Sequence, residues 1–129
     1  MTETYEERLR KRVGQVRMLG EAICSAIENE IQKIGFKHPE KLTAQFDQAE
    51  FELTSDPYDG QDSLKGIWCN PQRHTIGSVL FYADGTFYAE YDVVRPHPTD
   101  RRWFVEAITV WGRGSTLKTE ARLLPTLNN

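Results

Sequence analysis

The stretch Thr75 to Arg95, TIGSVLFYADGTFYAEYDVVR, contains two runs rich in β-branched and aromatic residues, joined by Asp84-Gly85. Such runs separated by Asp-Gly are a strong hairpin signal, because a type I′ turn needs φ > 0 at both central positions. With Asp84 and Gly85 central, Ala83 faces Thr86, Tyr82 faces Phe87, Phe81 faces Tyr88 and Leu80 faces Ala89. Side chains alternate along a strand. This register gathers Ile76, Leu80, Tyr82, Phe87, Ala89, Tyr91 and Val93 on one face and Val79, Phe81, Tyr88, Glu90, Asp92 and Val94 on the other. The first face reads as core. The second mixes aromatic area with carboxylates and is where function is sought.

Upstream, Thr4 followed by Glu7 fits a capping box, and apolar residues recur at Leu9, Val13, Val16, Ile23, Ile27, Ile31 and Ile34 before Gly35. The spacing predicts a helix over about 4–34. At roughly 1.5 Å per residue it outreaches a strand of ordinary length, so its first turns are expected to overhang the sheet or to break near Gly14 or Gly20. Residues 37–42 read as a connector around His38-Pro39. Ala49, Phe51 and Leu53 alternate with charged or polar neighbours as a half-wet strand, and the SDPYDGQDS run from Ser55 to Ser63 is loop. Strands follow over Leu64 to Cys69, through the central hairpin, over Arg102 to Trp111 and from Leu117 to Leu123, with turns at Pro96 to Asp100 and at Gly112-Arg113-Gly114.

The order predicts a single α+β domain over 1–129, with strands within about 44–124: one long N-terminal helix on one face of an antiparallel meander of about five to six strands. The helix is expected over Ala89, Ala107 and Thr109, because small residues admit a helix axis. In the strand Arg102 to Trp111 this sends Trp103, Val105, Ala107, Thr109 and Trp111 inward. It sends Glu106 to the second face beside Glu90 and Asp92, since burying Glu106 unpaired would be costly.

A chain of 129 residues with 16 Lys and Arg against 19 Asp and Glu carries a formal charge of −3, which lacks the basic footprint of a nucleic-acid binder. The charged start has no apolar signal-peptide core and no run is long enough to span a membrane, so the expected location is the cytoplasm. Cys24 and Cys69 are too few for a disulfide framework and are expected as thiols.

Several constellations read as structural. Asp56, Asp59, Gly60 and Asp62 lack EF-hand spacing, His38, His74 and His97 lack zinc-ligand spacing, and no nucleotide loop is present, so neither metal nor cofactor is expected. Cys69 beside His74 lacks a nucleophile signature. Arg95, Arg101 and Arg102 have Asp92 and Asp100 as local partners. The basic cluster Arg8, Arg10, Lys11, Arg12 and Arg17 has i, i+4 partners in Glu6 and Glu7 and reads as a solvated helix face.

Two functional readings remain. The first is a non-catalytic protein-binding or regulatory module, homodimeric, using the overhanging helix or the second sheet face, with Glu90, Tyr88, Phe81 and Arg95 as contact residues. The second is a small acid–base enzyme of isomerase or lyase type, with Asp92 and Glu106 as base and acid and His97 or Arg95 orienting the substrate. In either reading, pairing of the carboxylates with Arg95 and Arg122 is the plain structural alternative.

Overall fold

The computed structural model describes residues 2–37, 44–55 and 60–126. Helix α1, Tyr5–Ile34, begins where the capping signal lies, with the Glu7 amide donating to the Thr4 hydroxyl at 3.1 Å. It stops at Gly35, whose φ of 101° is a left-handed conformation that costs glycine nothing. The helix is continuous through Gly14 and Gly20. Val16, Gly20, Ile23, Cys24, Ile27 and Ile31 form its buried stripe, at the three- and four-residue spacing of one helical face. Gly20 is needed there for a close approach: a Cβ would meet the Phe46 ring at 2.3 Å, and Phe46 opens the short 3₁₀ turn Phe46–Gln48.

A six-stranded antiparallel sheet follows in sequential order. Its strands are β1 Glu50–Ser55, β2 Asp62–Cys69, β3 Thr75–Phe81, β4 Thr86–Pro96, β5 Trp103–Arg113 and β6 Thr116–Pro125. The α+β arrangement of one helix against a meander is therefore the observed one. The core lies between α1 and one sheet face, where Ile27, Ile31, Leu64, Val105, Ile108 and Val110 are fully buried. Each such side chain contributes about 1.5–3 kcal/mol of transfer free energy.

Several sequence expectations change. The central hairpin has a three-residue loop, Ala83-Asp84-Gly85, rather than two central residues. Tyr82 donates to the Thr86 carbonyl at 2.9 Å, Gly85 donates to the Tyr82 carbonyl at 3.2 Å, and Gly85 takes a φ of 91°. The Asp84 carboxylate favours this loop by accepting from the Thr86 amide at 2.9 Å and the Thr86 hydroxyl at 2.6 Å. Phe81 thus faces Phe87 and Val79 faces Ala89. A one-residue slip moves a whole strand to its other face, so Val79 and Phe81 lie in the core at 2% exposure each and Leu80 lies opposite Tyr88 on the second face.

In β5, Ile108 and Val110 face α1, whereas Ala107 and Thr109 lie opposite Asp92 and Glu90 on the second face. Register shifts between Val105 and Ala107 and between Asp92 and Arg95 mark β-bulges. A bulge adds a residue without reversing the strand, which lets Val105 and Ile108 both turn into the core. The strand also runs on to Arg113, and the chain turns at Gly114-Ser115.

Finally, the first turns of α1 do not project free of the sheet. The Leu53 amide donates to the Tyr5 hydroxyl at 3.0 Å, Arg8 reaches Asp62 at 3.3 Å and Arg12 donates to the Tyr82 carbonyl at 3.3 Å. Leu9 and Val13 pack, partly buried, against the core. Neither expected helix-face pair, Glu6 with Arg10 or Glu7 with Lys11, forms among the described residues; Lys11 instead meets Glu3, and Arg17 meets Glu21 and, off the helix, Asp47.

Candidate functional site

On the sheet face away from α1, successive strands bring Ser78, Glu90, Thr109 and Glu120 into one row and Leu80, Tyr88, Trp111 and Lys118 into the next. Arg122 on β6 crosses above this face. Its Nη1 donates to Glu90 Oε1 at 2.9 Å, and its Nη2 stands 3.4 Å from Glu106 Oε2. Glu90 is two strands away, roughly 9.5 Å at the usual strand spacing, so the guanidinium must lie over β5. Ala107 and Thr109 leave room for it, at 0% and 3% exposure. These are the small residues first assigned to the helix.

Asp92 is the third carboxylate and has no ion pair among the described residues. Partial burial raises its carboxyl above the ordinary value of 3.8, the charges of Glu90 and then Glu106 add to this, and Arg122 opposes it. Glu90 and Asp92 border a shallow hollow of about 180 Å³, open to solvent, with Thr75, Gly77 and Ser78 as its other walls. Just beyond Asp92, Val94 takes a φ of 48° in the β4 bulge and is 61% exposed. Left-handed φ is a strained conformation for a β-branched residue.

Of the candidate residues, Glu90, Asp92, Glu106 and Tyr88 therefore share the second face, with Tyr88 opposite Trp111 and 40% exposed. Phe81 is removed from that face by the register slip and is buried under α1. Arg95 lies past the bulge, opposite Val105 of the core, so it is Arg122 and not Arg95 that meets the carboxylates. His97 braces its own loop: Nδ1 accepts from the Thr99 amide at 3.2 Å and the Asp100 amide at 3.0 Å. That loop also holds Asp100 against Arg102, whose hydrogen bonds bring the Asp100 carboxyl down to about 2.

The remaining constellations stay local. Among the described residues no hydrogen bond joins Cys69 to His74, and no cluster of three metal-ligating side chains forms. His38, Asp56 and Asp59 lie outside the described residues. Both cysteines are free, and burial pushes the Cys24 thiol up to about 12. No described helix is long and apolar enough to cross a membrane.

The arrangement is a partly apolar surface in which one arginine serves two of the three clustered carboxylates Glu90, Asp92 and Glu106. Arg122 was visible in the sequence as a possible partner, but its position over β5 depends on Ala107 and Thr109 facing away from the helix. No family model, curated protein or solved structure matches the chain.

Proposed function

We propose that the chain is a non-catalytic protein-binding module that uses the sheet face opposite α1 to hold a basic segment of a partner. The observation that carries this reading is Asp92, a partly desolvated carboxylate without an ion pair among the described residues, beside Glu90 at an open hollow and next to Glu106. A Lys or Arg side chain entering there would supply the missing counter-charge. Apolar residues flanking that cation in the bound segment would meet Leu80, Tyr88 and Trp111, which lie further along the same face. Exposed Val94, held at a strained φ two residues beyond Asp92, would offer further apolar area outside the hollow's own lining.

The raised Asp92 carboxyl also favours the second reading, an acid–base enzyme with Asp92 and Glu106 in the leading roles. The hollow weighs against it. At about 180 Å³ it lies well below the roughly 300–1,000 Å³ of small-molecule sites, and it excludes little water.

An amide NMR titration with an acetylated peptide of alternating Arg and Ala tests the binding reading. Saturable shifts at Tyr88, Glu90, Asp92 and Trp111, weakened in Asp92→Asn, are expected. Shifts elsewhere only, or no shifts at low salt, would overturn it.

A further inference from the structure

We infer that the β6 edge pairs with β6 of a second copy, antiparallel about Thr119, joining two sheets into one. The two edges of the sheet are unequally protected. β1 is 6 residues long, and the Tyr5 hydroxyl covers its Leu53 amide. β6 is 10 residues long and exposed along most of its length. A long uncovered edge is a template for another strand unless charge or geometry prevents it.

The free backbone groups can be assigned. Gly114-Ser115 is a two-residue loop with Arg113 opposite Thr116, and hydrogen-bonded pairs alternate outward from such a loop. The Thr109 hydroxyl donates to the Glu120 carbonyl at 3.2 Å, which places that carbonyl on the β5 side. Leu117, Thr119 and Ala121 then turn their N–H and C=O groups away from β5, toward any added strand.

Charge selects the register. Lys118 and Glu120 share the face opposite α1, and neither has an ion pair among the described residues. About Thr119, Lys118 of each copy meets Glu120 of the other, Leu117 meets Ala121 and Thr119 meets itself. An axis at Glu120 would oppose Glu120 to itself and Lys118 to Arg122. An axis at Ala121 would draw Arg122, already held by Glu90 and Glu106, to a third carboxylate and leave Lys118 against Leu124. Only the Thr119 axis satisfies both unpaired charges, since opposite charges directly across antiparallel strands attract and like charges repel.

Sedimentation equilibrium on the whole chain tests this with charge reversals, after circular dichroism has verified folding. The wild type should have twice the 14.9 kDa chain mass. Lys118→Glu alone and Glu120→Lys alone should each weaken the dimer by about tenfold. The double exchange should restore it, and mixing the two single variants should give a heterodimer. A wild-type monomer at high micromolar concentration, or a dimer indifferent to these reversals, would overturn the inference. Failure of the double exchange to restore a dimer weakened by both single changes would overturn the Thr119 register.

Discussion

Arg122 meets Glu106 at 3.4 Å on the face away from α1, although Ala107, the next residue along β5, lies on that face too. Two consecutive residues share a side because the strand is bulged there, and the bulge is what lets one guanidinium reach carboxylates from both β4 and β5. Arg122→Leu keeps much of the apolar stem and removes the charge. We expect it to destabilise the fold by about 1 kcal/mol, as befits a partly exposed network, with the loss shrinking at high salt. Urea denaturation at two ionic strengths measures both.

Asp92 and Asp100 should respond to pH in opposite senses. Asp92 ionises less readily when folded, so its charge costs stability as pH rises above its unfolded value, fully so above the folded one. Asp92→Asn should therefore raise the melting temperature at neutral pH, by about 1–2 °C after allowance for solvent screening, and lose that advantage in acid. Asp100, lowered to about 2 by Arg102, contributes stability above its unfolded value that is lost as pH falls toward 2. Asp100→Asn should lower the melting temperature slightly at neutral pH, with most of the difference gone by pH 2 and none left below it. Thermal melts across pH check both signs.

Gly14 and Gly20 lie in one helix yet should respond oppositely to alanine. At Gly14 a Cβ meets nothing within 4 Å, so the gain in helix propensity should stabilise by up to about 1 kcal/mol. At Gly20 the Cβ collides with the Phe46 ring. Overpacking there should outweigh propensity and leave a net loss of about 1 kcal/mol. Denaturation midpoints of the two variants supply the comparison.

Val94→Gly should relieve the left-handed φ of 48°. Strain of this kind costs about 1–3 kcal/mol, against roughly 0.5–1 kcal/mol of added chain entropy from glycine. A net stabilisation of about 1 kcal/mol is expected, together with weaker binding of the Arg-Ala peptide as apolar area is lost. Urea titration and the peptide titration read the two effects separately.

The parts of this fold legible in the sequence were those set by neighbouring residues. Thr4, Glu7 and Gly35 marked the ends of α1, and alternation marked the strands, because caps and pleats act over a few positions. The loop length at Asp84-Gly85 was not legible, since the dipeptide serves two-residue and three-residue hairpins alike and the Asp84–Thr86 hydrogen bonds favour the latter. That slip misplaced Phe81 and Leu80. Bulges are silent in a hydrophobic pattern, so the β5 parity argument placed Ala107 and Thr109 under the helix. It still put Glu106 on the correct face, because the bulge reversed the strand's parity beyond that residue. Glu90, Asp92 and Tyr88 were found by β4 alternation, which holds up to the bulge at Val94; Arg95, chosen for its charge rather than by alternation, lies beyond that bulge.

The carboxyl titration of Asp92, followed by carbon-detected NMR in the wild type and in Arg122→Leu, tests most directly whether this face crowds partly desolvated carboxylates around one arginine. We expect a midpoint above 3.8 in the wild type and a higher one in the variant, because Arg122 is the cation that opposes the rise. A midpoint at or below 3.8, unmoved by removal of Arg122, would contradict it.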